Sequence, residues 1–314
     1  METMNKEIDF AVGGQAVIEG VMMRSPNSIS IAVRKSDGGI KVRNKNYRTL
    51  TQRYRIFNIP ILRGFINLIE MMVVGTQAIN FSANEQLDDI KEEEGIKTES
   101  KFARVSEILL FVFSMLLALG FGILLFKFTP LLITTFLEGK SAFIAENYFL
   151  FNLLDGAIKI TIFVSYIFIL GLIPDFKRVF QYHGAEHKSI YAYEKKLPLD
   201  EKNAALQTRF HPRCGTSFIL IVFATSIIVY SLVPRPPEFL SNFALRLSLL
   251  PLISGISYEI LKISAKRMNN FFVRMVVAPG LLFQKLTTKE PDSKQLEVGL
   301  KSLKDALAME KAAN

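Results

Sequence analysis

Four apolar stretches decide most of what this chain can become. Residues 106–126 are almost unbroken hydrocarbon, and 158–173, 216–233 and 243–261 repeat the pattern, the second extendable back to Phe151. A helix needs about 20 mainly apolar residues to cross a bilayer, so these are the span candidates. The fourth is the least regular, because it carries Arg246, Pro251 and Gly255. Hydrophobic residues make up 50% of the chain and mean hydropathy is positive at +0.27, which suits a multi-pass membrane protein with sizeable soluble parts. Between the first two spans, residues 129–150 are broken by Pro130 and Gly139 and read as an interfacial loop or short helix. The predicted fold class is a polytopic α-helical membrane protein: about four spans, interfacial or re-entrant helices, and a small N-terminal β-rich module.

A net charge of +9 would suggest nucleic acid in a soluble protein, but its placement argues otherwise. Residues 1–105 hold 15 Lys and Arg, 175–215 hold eight and 262–314 hold ten, whereas 127–150 and 234–243 hold two and one. Basic loops stay cytoplasmic, so both termini and the 175–215 loop are predicted to face the cytoplasm from the plasma membrane. The charge then orients the chain beside anionic headgroups, making membrane lipids the expected partner and nucleic acid an unexpected one. Residues 1–10 are mixed and partly acidic, so no signal peptide is expected. A single cysteine excludes an internal disulfide, and in a reducing compartment a lone thiol suits a metal better than a pairing.

In chain order, 1–58 form the cytoplasmic β-rich module. Residues 28–34 alternate with Ile29, Ile31 and Val33 on one side, and 40–47 place Lys41, Arg43 and Lys45 on one side. Asp37-Gly38-Gly39 between them signals a hairpin, because glycine accepts positive φ. Upstream, residues 13–24 are glycine-containing without the spacing of a dinucleotide or phosphate-loop fingerprint. Residues 59–105 combine a helix from Pro60 to about Asn80 with a charged, solvated linker over 84–104. That helix carries a narrow polar stripe (Arg63, Asn67, Glu70, Gln77) and reads as surface-lying or re-entrant. The membrane domain is 106–290, with 271–287 as a membrane-lying or re-entrant hairpin broken by Pro279 and Gly280. Residues 291–314 form an amphipathic helix whose leucine stripe (Leu296, Leu300, Leu303, Leu307) is predicted to dock on the cytoplasmic part of the protein.

The chemistry-bearing residues gather in one loop. Its three histidines, His183, His187 and His211, and the cysteine, Cys214, are all that the chain has. Imidazoles at i and i+4 share a helix face and suit two ligands of one divalent ion, zinc by donor type. If His183, His187, His211 and Cys214 all bind, the tetrahedron closes and the metal is structural. With three ligands, an open position accepts a water whose pKa falls to about 7, and Glu186 becomes the candidate general base. The blander reading makes Glu186 a surface carboxylate paired with Lys188 or Arg213, the histidines a packed polar cleft, and Cys214 a small buried hydrophobe. His-x-x-Glu-His is also the inverted zinc-peptidase pattern, which needs a distant third carboxylate; Glu194 and Glu259 are available without distinctive context.

Three stretches in this order, Gly13 to Arg24, His183-Gly184-Ala185-Glu186-His187-Lys188 and His211 to Phe218, resemble the YqhQ-like family of bacterial membrane proteins along nearly the whole chain. That family has no known function and is often described as metal-dependent. The resemblance implies a metal at His183, His187 and His211, and draws residues 13–24 into the same unit, with Gln15, Glu19 and Arg24 as candidate substrate-binding residues. Two readings follow: a membrane-embedded, cytoplasm-facing metal-dependent hydrolase, or a non-catalytic metal-stabilised factor partnering secretion, insertion or envelope machinery. A transporter fits less well, because Lys159, Arg246 and Glu259 are almost the only charges in the spans and no repeat is visible.

Overall fold

The computed structural model describes residues 12–94, 101–267 and 270–313. Four strands come first: β1 (Gly13–Val17), β2 (Gly20–Arg24), β3 (Ser28–Arg34) and β4 (Ile40–Asn46), antiparallel neighbours in sequence order. The helices are α1 (Leu50–Arg53), α2 (Leu62–Glu94), α3 (Lys101–Ile123), α4 (Thr129–Glu138), α5 (Ala142–Glu146), α6 (Tyr148–Leu170) and α7 (Pro174–Glu194). They continue as α8 (Glu201–Ala205), α9 (Gly215–Leu232), α10 (Phe239–Ser248), α11 (Leu250–Lys266), α12 (Phe271–Thr287) and α13 (Ser293–Ala313). The β3–β4 turn forms where predicted, with Gly38 at φ +85°.

The sheet is the middle layer of three. Ile29, Ile31 and Val33 join Met22 against Val74 and Ala78 of α2. On the opposite face, Val21, Met23 and Ala32 meet Tyr182 and Ile190 of α7 and Val298 and Leu303 of α13. Ser28 and Ser30 are small enough for α13 to come close: Ser28 donates to the Ala306 carbonyl at 2.9 Å, and Ser302 donates to the Ser30 carbonyl at 2.8 Å. The predicted leucine stripe of α13 is buried here, Leu296, Leu300, Leu303 and Leu307 all being 8% exposed or less.

Three helices are long and apolar enough to cross a membrane: Val112–Glu138, Tyr148–Leu170 and Gly215–Leu232. Helices α10 and α11, bent by 42° at their junction, pass the same test when taken together as one broken span. The first differs from its predicted limits. The helix does not stop for Pro130, because a π turn at Leu124–Phe128 precedes it and places the proline in the first turn of α4, where its missing N–H costs little. The predicted loop or short helix at 129–150 is therefore mostly α4 and α5. Likewise 271–287 is one helix with Pro279 inside it, not a hairpin. Residues 84–94 of the predicted linker continue α2; 95–100, like residues 1–10, lie outside the described residues.

Three residues of the α2 polar stripe, Arg63, Asn67 and Glu70, face inward, while Gln77 is exposed. Arg63 grips Glu259 of α11 with two bonds of 2.6 and 2.5 Å, Asn67 donates to the Tyr258 hydroxyl at 3.0 Å, and Glu70 accepts from Tyr47 and the Leu50 amide at 3.1 and 2.7 Å. Its outer face exposes Ile69, Met72 and Val73 by 44–53%. Polar groups inside and aliphatic groups outside is the arrangement suited to a nonpolar surrounding.

A second polar assembly lies among the apolar helices. Asp155 of α6 binds Lys159 at 3.1 Å and Arg246 of α10 at 2.8 Å, and Arg246 also reaches Asn152 and Asn242 at 2.6 and 3.1 Å. The span charges Lys159 and Arg246 thus have a shared carboxylate partner.

Candidate metal centre

Helix α7 carries His183, Glu186 and His187, and the turn before α9 brings Cys214 to them as the N-cap of that helix. One nitrogen of each imidazole and the Cys214 sulfur lie within 4.8 Å of one another. His183 Nδ1–H donates to the Thr287 carbonyl at 2.9 Å, and His187 Nδ1–H donates to the Arg209 carbonyl at 2.5 Å. A carbonyl can only accept, so each Nδ1 carries a proton, and in the neutral form that binds a metal each ring presents the lone pair of Nε2. His183 Nε2 stands 3.2 Å from Cys214 Sγ, and the buried His187 Nε2 has no hydrogen-bond partner.

These donors fit a tetrahedral divalent ion. Zn–N near 2.0–2.1 Å and Zn–S near 2.3 Å imply N···S edges of about 3.5 Å. Burial alone would raise the Cys214 thiol, but the neighbouring His187 ring, the Thr216 hydroxyl and the Thr216 amide hold it below its ordinary value. A thiol at a helix N-terminus is in the place that favours thiolate. Burial, reinforced by His183, pushes His187 below the usual imidazole range and so favours the neutral ligand form.

Glu186 is buried beside this group. Its carboxyl is pushed up to about 8, chiefly by burial, with His183 and the Gly14 amide opposing and Cys214 adding to the rise. One of its oxygens, Oε2, has no hydrogen-bond partner. Contact with β1 is close: a Cβ on Gly14 would stand 2.8 Å from Glu186 Cγ and 2.7 Å from the Met22 carbonyl. Neither predicted surface partner reaches Glu186, because Lys188 is held by Glu290 and the Ala205 carbonyl, and Arg213 by Glu194.

His211 does not join the cluster. Its Nε2 faces the Glu194 carboxylate at 3.2 Å and its Nδ1 accepts from the Arg213 amide at 3.3 Å, so both ring nitrogens are engaged. Burial lowers it to about 4. The predicted four-ligand set His183, His187, His211 and Cys214 thus becomes a three-residue group with His211 as a neighbour. Glu194 and Glu259, the spare carboxylates, are taken by Arg213 and Arg63.

The group opens into a cavity of about 960 Å³. Gln15 and Arg24 line it, as does His211. Glu19 does not. It sits at φ +50° in the two-residue β1–β2 turn, and its carboxylate takes two bonds of 2.5 Å from Arg178 and one of 3.2 Å from the Tyr182 hydroxyl. Its place is the joint between sheet and α7, so it is no candidate for substrate contact.

Gln284 carries no motif, yet it builds the site. Fully buried, it accepts from the His211 amide at 2.7 Å and donates to the His211 carbonyl at 2.8 Å and to Ser217 at 3.2 Å. The one available signal was an amide following the apolar run Val276 to Phe283.

A family model described as "Protein of unknown function (DUF1385)" matches residues 59–309. The chain is 36% identical over 308 residues to "Uncharacterized protein YqhQ" of Bacillus subtilis (strain 168), covering 96% of this chain and 93% of that one. No solved structure matches. The family match spans α2 through α13 and so includes every residue of the metal-type cluster, and the chain belongs to the DUF1385, YqhQ-like family.

Proposed function

We propose that this is a membrane-embedded, cytoplasm-facing hydrolase that holds one divalent ion, zinc by donor set, on His183, His187 and Cys214. The observation that carries the reading is the convergence of two tautomer-locked imidazoles and one thiol, with a buried, partnerless His187 Nε2 among them. Three protein ligands leave a position open, which is the catalytic rather than the structural pattern. The ion would supply Lewis-acid activation of a water molecule near neutral pH.

The chain's own residues supply the rest. The Thr287 and Arg209 carbonyls keep the two rings oriented. The Gly14 amide steadies one side of the Glu186 carboxylate. With the ion bound, its positive charge would lower the Glu186 carboxyl, and the resulting carboxylate would take a proton from the attacking water and return it to the leaving group of an ester, amide or phosphate. The inward Arg63, Asn67 and Glu70 and the outward Ile69, Met72 and Val73 of α2, with three span-length helices, support a bilayer setting. The concentration of Lys and Arg at both ends of the chain and in 175–215 supports the cytoplasmic side.

Elemental analysis of purified protein tests this. Wild type is expected to carry about one ion per chain, and His183→Ala, His187→Ala and Cys214→Ala to lose it. His211→Ala is expected to keep it. Glu186→Gln is expected to keep the metal and lose function in cells. Metal-free wild type from metal-replete cultures refutes the metal, and a fully functional Glu186→Gln refutes the hydrolase while leaving a metal-pinned factor.

A further inference from the structure

The cavity wall carries one arginine, Arg24, that no carboxylate pairs with among the described residues. Arg24 ends β2 and faces Gly13 in the strand register, and Gly14, the next residue, is the one that touches Glu186. Its guanidinium contacts the Met71 sulfur and lies 5.2 Å from the centre of the Tyr47 ring. The other two arginines lining the cavity are matched, Arg63 by Glu259 and Arg213 by Glu194. A guanidinium has five donors in a fork shaped for a carboxylate or phosphate, and a thioether and a ring face satisfy little of that.

The opposite wall is apolar. Phe163 and Ile167 of α6, Ile219 of α9 and Phe283 of α12 line it. Two of those helices are of span length, so this wall continues into the apolar part of the molecule. The volume lies at the upper end of small-molecule sites, roughly 300–1,000 Å³.

We propose that the cavity binds an anionic amphiphile, with a phosphate-bearing headgroup on Arg24 and its apolar chain along Phe163, Ile167, Ile219 and Phe283. Its role as substrate rests on the hydrolase reading, because the headgroup linkage would then lie beside Glu186; the binding itself does not require a metal. Gln15 on the same lining gives the headgroup a further polar contact.

Native mass spectrometry of the full chain in detergent, titrated with phosphatidylglycerol, phosphatidylcholine or glycerol phosphate, tests the proposal. Wild type is expected to retain phosphatidylglycerol at least tenfold over phosphatidylcholine, and glycerol phosphate at equal concentration is expected not to displace it. Arg24→Gln is expected to abolish the preference while keeping the wild-type melting temperature, which reports that it has folded. Ile167→Trp, which fills the apolar wall, is expected to reduce retention of both lipids at least tenfold. Undiminished phosphatidylglycerol preference in a folded Arg24→Gln overturns the proposal. Displacement by glycerol phosphate overturns the amphiphile in favour of a soluble phosphate, and unchanged retention in Ile167→Trp overturns the chain placement. The His187→Ala variant separates the two readings: loss of metal with retained lipid preference supports lipid binding independently of the ion, and lipid preference lost along with the metal overturns that independence.

Discussion

Two glycines that look alike in the sequence are expected to answer oppositely to the same substitution. Gly184 lies between the site histidines and Gly215 follows the site cysteine, both in the first stretches one would align. A Cβ on Gly184 would stand 2.1 Å from the Lys289 carbonyl oxygen, where ordinary contact begins near 3.4 Å. Helix α7 and the segment after α12 would have to part by roughly 1 Å. That segment is tied to α7 on either side, by Lys289 N–H to the Phe180 carbonyl at 2.8 Å and by His183 to the Thr287 carbonyl at 2.9 Å. Overpacking costs about 1–3 kcal/mol. Losing one of those bonds adds about 0.5–1.5 kcal/mol. Gly184→Ala should therefore lose about 2–4 kcal/mol, a fall of roughly 4–12 °C in Tm. Disturbing the carbonyl that orients His183 should also weaken metal affinity about 10–100-fold. Around Gly215 nothing lies within 4 Å of the added Cβ, and it opens α9. Gly215→Ala should be neutral or stabilising by up to about 1 kcal/mol. Thermal melting of both variants in one detergent, with zinc titration, gives the comparison. A Gly184→Ala protein that melts and binds zinc like wild type would show that the α7 crossing at Lys289 is wrong.

Asp155→Ala should cost about 3–5 kcal/mol, because it strands Lys159 and Arg246 without their shared carboxylate; a melting temperature within about 2 °C of wild type refutes that pairing. Glu310 is almost fully buried, and although burial opposes it, bonds from Ser25 and Asn27 hold its carboxyl below the ordinary value of 4.5. A folded-state value lowered in this way adds stability above the unfolded value and loses it as pH falls through the folded one. The melting gap between wild type and Glu310→Gln should then stay constant from pH 8 to about 5 and close below 4.5; a gap that widens in acid refutes the assignment. Arg63→Gln and Glu259→Gln should couple by about 1–2 kcal/mol in a double-mutant cycle, since either change breaks the same two-bond fork between α2 and α11. Additive effects within about 0.5 kcal/mol would mean the fork does not join those helices.

Much of this was written in local pattern. Apolar runs at span length, a glycine turn between alternating strands, a leucine stripe and histidines four apart each depend on residues close in sequence, and periodicity reports such features directly. What stayed hidden were the limits set by neighbours. Pro130 reads as a breaker until the π turn absorbs it, and the α2 helix reads as surface-lying or re-entrant until Glu259 and Tyr258 are found opposite its polar residues. His211 has the same donor chemistry as the other two histidines, so no spacing rule could exclude it. Its exclusion comes from Glu194 and the Arg213 amide taking both ring nitrogens.

The sequence alone therefore determined the span-length helices, the small sheet, the docked final helix and the short list of metal-capable side chains, because these follow from residue type and period. Only the tertiary structure decided which three of the four donors converge, that Gly14 meets Glu186, that Glu19 belongs to a joint, and that Arg24 shares their cavity. Those facts depend on strands and helices far apart in the chain, where approach distances of a few tenths of an ångström and the competition for each lone pair select among chemically equivalent residues.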